Sequence, residues 1–363
     1  MTPVELSRTV LHAVRRAVDA GELSVTVPAR AVVAPPKPGG AGDYATNIAL
    51  QLARPAGQPA LRVAEVLRTY LASADGVTGV EVTGPGFLNI SLDRPAASAG
   101  LVRRIRREGL RYGHGDTLAG QVYELRVPFE VRAEVLADAL ARIVASQGGR
   151  VATHHREPDG IGGIGDTGDS RGASPGHHPP SEPFELRPCP APEDPTPLGL
   201  DAACWALLHP APHDRPRITA DHLVQRESNP VFRVRYAHAR TRALSRNAAD
   251  LGFTAEAGDL EMEALLPPLP PLVPLLPLLA DYPRVLATVA ALPRPDGVAA
   301  PSRLARHLVA VADATLLLLP VVLPLGEEKP SAAHRARLAL AEAAGTVLAG
   351  GLSLLGIDAP DHL

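Results

Sequence analysis

The chain has 363 residues and a formal net charge of −3. That length allows two or three domains with separate cores, and the charge excludes a global positive field that would draw the whole chain onto nucleic acid. RNA binding would therefore depend on local arginine patches. With only two cysteines, Cys189 and Cys204, the chain is predicted to have no disulfide framework and no zinc site, and to belong in a reducing cytoplasm.

The first predicted domain covers residues 1–118. Thr2 and Glu5 form a capping box, so the N-terminus is predicted to be a helix rather than a signal peptide. A short strand is expected over 24–27, and Asp43 is expected to be the N-cap of a further helix. Helices first and strands later, without a βαβ rhythm, indicate a small α+β fold.

A hairpin is predicted near the end of this domain, because Gly84-Pro85-Gly86 separates two alternating segments, 80–83 and 87–92. Residues two apart on a strand point to the same face, so Phe87 and Asn89 can act together. From the residues alone, Phe87 is expected to be a core residue and Asn89 to cap a turn.

A run of arginines follows the hairpin. It is either a solvated helix face or a stripe against an RNA backbone, where counterion release would favour binding. Its members are Arg103, Arg104, Arg106, Arg107 and Arg111.

Residues 119–157 predict a vestigial strand–helix–strand segment, with strands over 121–127 and 151–153 and a helix over 131–146. One such segment is too small to be a complete nucleotide-binding domain. Residues 158–197 are of low complexity and are predicted to be a flexible linker. Its glycine cluster at 163–168 lacks the GK[ST] ending of a phosphate loop.

No metal site is predicted. The paired histidines His154-His155 and His177-His178 have no cysteine or carboxylate at ligand spacing.

Residues 198–363 are predicted to form an all-α bundle. An apolar run over 265–279 is interrupted by six prolines, which excludes a spanning helix. A second run over 308–325 contains Asp313 and two prolines, so we expect a buried bundle helix rather than a membrane span. Helical apolar periodicity runs through 198–208, 230–249, 283–292, 303–319 and 332–355.

Several motifs carry a resemblance to one family. Residues 229–240, NPVFRVRYAHAR, closely resemble the start of the anticodon-binding helical domain of arginyl-tRNA synthetases. Residues 42–50 and 84–90 are similar to the N-terminal domain of that family. The resemblance implies a fold that consists of an α+β N-terminal domain, a βαβ-like remnant and an all-α anticodon-binding bundle. It also implies that the N-terminal domain contacts the tRNA elbow and that Phe87 and Asn89 read a D-loop base: Phe87 would stack on the unpaired base and Asn89 would hydrogen-bond its edge. The core and turn-capping roles stay open as the alternative.

In the bundle, the resemblance makes Tyr236 an anticodon contact and Arg240 a phosphate contact, on one helical face. Arg233 and Arg235 depart from the family pattern, which has an aromatic residue and a glutamine there; the added charge would suit phosphates. The chain ends in Leu363, where the family has a methionine near the anticodon. His238 is either part of this RNA-binding face or a core histidine of the bundle.

The catalytic signatures of the family are not found. Residues 138–143 are similar to its DALAR helix, and this register puts the ATP-binding HxGH signature on Val127-Pro128-Phe129-Glu130, which has neither histidine. No lysine lies between Lys37 and Lys329, so a KMSK-type loop cannot form. The 40 residues of 158–197 are too few for further βα units, which need roughly 30 residues each. Catalysis is therefore predicted to be lost, and no cofactor is expected.

Three hypotheses remain open. The first is a non-catalytic, monomeric homologue that binds tRNA through both ends, without membrane contact. The second is a protein-interaction or regulatory module in which the bundle packs on a partner protein. The third, implied by the resemblance alone, is an arginine–tRNA ligase or a subunit that completes one.

Overall fold

In a computed structural model, residues 3–36, 41–155, 184–260, 275–291 and 300–363 are described. The chain divides into two compact units, each built from three stretches of sequence. Unit 1 comprises Met1–Arg107, Leu244–Arg284 and Pro320–Ala343, and unit 2 comprises Glu108–Ala243, Val285–Leu319 and Ala344–Leu363.

The N-terminal part of unit 1 is an antiparallel sheet with helices, in the strand order β1-β2-β4-β3. Alternate residues of its central strand β4, Leu88, Ile90 and Leu92, are buried in the core of this α+β fold. The elements are α1 (Pro3–Asp19), β1 (Val33–Ala34), β2 (Tyr44–Thr46), α2 (Ile48–Ala56), α3 (Ala60–Ala72), β3 (Val77–Thr83), β4 (Phe87–Leu92) and α4 (Arg94–Glu108).

Two local predictions for this region are wrong. Residues 24–27 form no strand, although Val25 and Val27 pack against the core. Asp43 does not cap a helix: its carboxylate accepts a hydrogen bond from the Leu92 amide at 2.9 Å. The residues after Asp43 extend into β2 because they pair with β4, and the helix begins only at Ile48.

The predicted strand–helix–strand segment is confirmed in unit 2. It consists of β5 (Val122–Val127), α5 (Val131–Ser146) and β6 (Arg150–His155), with β5 and β6 parallel. A third short strand, β7 (Phe184–Glu185), pairs with the other edge of β5. Residues 184–197, the described end of the predicted flexible linker, therefore contain a paired strand. The glycine cluster and His177-His178 of the same linker lie outside the described residues.

The predicted helical character of the C-terminal part is confirmed. The helix predicted to start at Pro283 begins earlier, at Leu275, so that Pro283 lies inside it. Residues 265–274 of the proline-rich run lie outside the described residues. The helices are α6 (Gly199–Leu208), α7 (Pro230–Asp250), α8 (Leu275–Ala290), α9 (Pro301–Leu318) and α10 (Ala332–Leu355).

Two of the described helical stretches, Pro301–Val321 and Ala332–Leu355, have the length and composition of membrane spans. Their apolar windows are 50% and 78% buried within the protein, as in helices that form a protein core. The first stretch ends in a short 3₁₀ turn over Leu319–Val321.

Candidate nucleic-acid interface

The hairpin pair predicted to read a base, Phe87 and Asn89, lies on β4. Asn89 is only 4% exposed, and its amide nitrogen donates to the Thr83 hydroxyl at 2.9 Å. Phe87 is half-buried. In this conformation Phe87 is the accessible member of the pair, and the Asn89 amide holds the two strands of the hairpin together.

Four of the five arginines of the predicted basic run lie on α4 and are not equivalent; the fifth, Arg111, lies in the short 3₁₀ turn that follows, Gly109–Arg111. Arg104 forms an ion pair with Glu5 of α1. Arg106 lies 3.2 Å from the Glu342 carboxylate and also donates to the Ala255 carbonyl. Arg104 and Arg106 therefore contribute to the packing of unit 1, and Arg103, Arg106 and Arg107 have exposed side chains.

One face of α7 carries the predicted aromatic and cationic pair. Tyr236 is 37% exposed, and its ring stacks on Phe232 with 5.4 Å between the centroids. The Arg240 guanidinium lies 6.0 Å from the centroid of the Tyr236 ring. We call Phe232, Tyr236 and Arg240 the α7 face; it offers a ring for stacking beside a cation, the combination that suits an unpaired nucleotide.

His238 is in the core of the bundle, as in the alternative interpretation. It is 5% exposed, with Nδ1 3.1 Å from the Gly345 carbonyl oxygen and Nε2 3.6 Å from the Asp361 carboxylate. The structure therefore does not place it beside Tyr236 and Arg240 on the exposed face.

The two arginines that depart from the family pattern are paired with carboxylates. Arg233 lies 3.4 Å from Asp313 on α9, and Arg235 lies 3.3 Å from Asp201 on α6. Both arginine side chains are mostly buried, with 29% and 25% of their surface exposed. Their charge joins helices of unit 2 and is largely compensated before any phosphate approaches.

A histidine beside this region has a lowered pKa. His209 stacks on Trp205 with 5.1 Å between the ring centroids. Burial, reinforced by the charge of Arg306, lowers the pKa of His209 below its usual value of 6.5.

Next to the α7 face is a cleft of about 260 Å³, lined by residues of α6, of the turn over Ala220–Leu223, of α7 and by Leu363. Leu363 is 52% exposed at its edge. The last residues are held in place: the Asp358 amide donates to Asp201 at 3.0 Å, and Asp361 lies 3.1 Å from Arg242. The predicted terminal contact, Leu363, therefore lies close to the helix that carries Tyr236.

The sequence register placed the ATP signature just before α5, and the N-terminus of this helix is capped by a side chain of unit 2 itself. Glu130 is the N-cap of α5, and its carboxylate accepts from the Ala133 amide and from the Ala191 amide, each at 2.9 Å. The positive end of the α5 dipole thus already faces an anion of the chain itself.

Arg132, which sequence reasoning missed, lies in the first turn of α5 and is fully buried. Burial lowers the pKa of its guanidinium, and nearby Cys189 and Glu130 oppose that shift. Its guanidinium donates hydrogen bonds to backbone carbonyls of the chain that follows β7. The shortest of these bonds, at 2.7–3.0 Å, go to the carbonyls of Cys189, Leu207, Ala211 and Asp214.

Two parts of the chain, the α+β module and the helical domain with its exposed stacking face, match domains of the aminoacyl-tRNA synthetase class. The model of the arginyl tRNA synthetase N terminal domain matches residues 5–92, and that of the DALR anticodon binding domain matches residues 234–363. In these two domains the chain belongs to the arginyl-tRNA synthetase family.

Curated relatives support the assignment over part of the chain. An arginine–tRNA ligase of Renibacterium salmoninarum is 41% identical over 168 residues, which are 43% of this chain and 30% of the ligase. One from Cereibacter sphaeroides is 41% identical over 155 residues, 39% of this chain and 26% of the ligase. The chain thus spans about 30% of the length of the first of these relatives.

Among solved structures, Thermus thermophilus arginyl-tRNA synthetase matches with a TM-score of 0.62 and 15% identity, covering 100% of each chain. At this identity the likeness shows the fold.

Proposed function

We propose that this chain is a tRNA-binding member of the arginyl-tRNA synthetase family that does not activate an amino acid. The observation that carries the proposal is the α7 face, in which the exposed Tyr236 and Arg240 lie within the match to the anticodon-binding model and the half-buried Phe232 lies just before it. The N-terminal domain supplies a second RNA contact, centred on Phe87 and on the exposed arginines of α4.

The α7 face suits a single-stranded loop. Stacking of a base on an aromatic ring is worth about 1–3 kcal/mol, and a neighbouring guanidinium can meet the phosphate of the same nucleotide. Because Arg233 and Arg235 are already paired with Asp313 and Asp201, Arg240 is the cation of α7 that we assign to phosphate.

The lack of catalysis is supported by the N-terminus of α5. Transition-state charge on a nucleotide would need cationic or neutral donors there, but the Glu130 carboxylate occupies the N-cap. Arg132 binds the carbonyls of the following segment and has its donors engaged. A phosphate at this helix end would meet a carboxylate in place of free amides.

Binding of total tRNA, measured by fluorescence anisotropy across a salt series, tests the proposal. Tyr236→Ala is expected to weaken binding roughly 5- to 150-fold, the equivalent of about 1–3 kcal/mol. The matched control, Tyr236→Phe, keeps the ring and is expected to bind within about twofold of the unchanged chain.

Two outcomes would reject the proposal. Absence of tRNA binding even at low salt would favour the alternative in which the bundle packs on a partner protein. Arginine-dependent exchange of pyrophosphate into ATP would show the ligase activity that is proposed to be lost.

A further inference from the structure

The outer face of α1 carries cations that the proposed function has not used. Arg8, His12 and Arg15 recur at helical spacing and are all exposed, while Leu6, Val10 and Ala17 on the opposite face are fully buried. Within the described part of the chain, neither Arg8 nor Arg15 takes part in an ion pair. Asp19, also exposed, ends this face. The two free guanidinium groups lie roughly 10 Å apart along the helix axis.

This face of α1 adjoins the basic face of α4. Glu5, in the first turn of α1, is paired with Arg104 of α4, and both side chains are partly exposed, at 40% and 33%. The exposed Arg103 is the neighbour of Arg104 in sequence, and the exposed Arg107 lies three residues, about one turn, further along α4. The ion pair therefore lies where the two cationic faces meet.

The charge of the chain is concentrated in this region. Residues 1–107 contain 13 Lys and Arg against 8 Asp and Glu, a net +5, whereas the other 256 residues contain 23 against 31, a net −8. A chain that is acidic as a whole thus has one basic segment, and the exposed cations of that segment include those of α1 and α4.

We propose that α1 and α4 form one cationic surface that binds the sugar–phosphate backbone of folded RNA, with Arg8 and Arg15 as phosphate contacts. The inference rests on the proposed tRNA binding and extends it to a helix that contains none of the predicted contacts. Because arginines on a helix face meet phosphates without reading bases, the surface supplies affinity and salt dependence and not base specificity. The RNA strand would lie across both helices, over the Glu5–Arg104 pair.

The double substitution R8Q/R15Q tests this inference in the full chain, with total tRNA as the probe. Loss of two phosphate contacts should reduce the slope of log affinity against log salt by about two. At low salt the affinity should fall at least about fivefold. A matched control, R54Q/R62Q, removes the same charge from exposed arginines of α2 and α3 and should leave the slope unchanged.

The outcomes separate the two proposals. If the unchanged chain binds no tRNA, the proposed function fails. Another outcome is that the unchanged chain binds tRNA while R8Q/R15Q and R54Q/R62Q give the same salt slope, whether both are unchanged or both are reduced. In that case the proposed RNA contact of α1 is wrong and the proposed function stands. Restoration of the slope by R8K/R15K would support a charge contact with phosphate. Binding to phosphatidylserine vesicles that depends on Arg8 and Arg15, with unchanged tRNA binding, would instead make α1 a membrane-facing surface.

Discussion

At the residue scale, Arg132 joins α5 to several distant parts of unit 2. The side chain is fully buried, and among the described residues no carboxylate hydrogen-bonds to its guanidinium; backbone carbonyls from 189–214 take its donors instead. A buried carbonyl without a donor costs about 1–3 kcal/mol. One side chain therefore links α5 to the end of α6 and to the chain on both sides of that helix.

Replacing Arg132 with methionine should lower the free energy of unfolding of unit 2 by about 3 kcal/mol, because one buried and several partly buried carbonyls lose their donor at once. Trp205, the only tryptophan of the chain, is buried in this unit, so its fluorescence during urea denaturation measures the loss. Arg132→Lys retains a charge and three donors and should cost less. Equal stability of the methionine variant and the unchanged chain would show that these carbonyls do not need the guanidinium.

At the scale of secondary-structure elements, the contact of α7 with α10 in unit 2 depends on a glycine. A Cβ at Gly345 would lie 2.2 Å from the Thr241 hydroxyl oxygen, and the same hydroxyl donates to the His238 carbonyl at 2.7 Å. The Gly345 carbonyl in turn faces His238 Nδ1. The two helices therefore approach through small side chains and a shared polar contact.

Gly345→Ala should destabilise unit 2 by about 1–3 kcal/mol, because the added methyl group overpacks this contact by more than the gain in helix propensity, which is about 1 kcal/mol. Urea denaturation followed by Trp205 fluorescence gives the value. Thr241→Ala in the same chain removes the hydroxyl that the methyl group meets, so the double variant should recover part of the loss. Simple additivity of the two effects would contradict a steric origin.

The sequence determines some elements well because their signals are local. The predicted bounds of α5 and α10 agree with the structure, since each has a long apolar period and a glycine with positive φ beyond its end, Gly148 and Gly356. The start of α2 was misplaced because β2 forms through pairing with β4, a partner more than 40 residues away. Pairing between distant segments has no local signal.

The candidate site shows the same division. The shared helical face of Tyr236 and Arg240 followed from their spacing, and the structure has it. The pairing of Arg233 with Asp313 and of Arg235 with Asp201 could not be predicted, because the acids lie on other helices. For Arg132 the sequence offered no signal, since its acceptors are backbone carbonyls.

At the scale of the whole molecule, the chain combines two domains of a synthetase family with a capped α5 N-terminus. If binding is limited to RNA, only RNA can stabilise the native chain by mass action. A ligand at 100 times its Kd adds about 2.7 kcal/mol to the free energy of unfolding, whereas one at or below its Kd adds no more than about 0.4 kcal/mol. Ligand-dependent stability therefore measures which substrates of the family this chain still recognises.

Saturating tRNA should raise the thermal midpoint of the Trp205 transition by several degrees, on the order of 2–4 °C per kcal/mol for a unit of this size. Millimolar ATP with magnesium and arginine should leave that midpoint unchanged, because the Glu130 carboxylate caps the helix end at which phosphates would bind. Glu130→Gln retains an acceptor for the Ala133 amide without the negative charge. A rise in the midpoint with ATP in this variant alone would assign the exclusion of nucleotide to the charge of Glu130. A rise in the unchanged chain would contradict the loss of the nucleotide site.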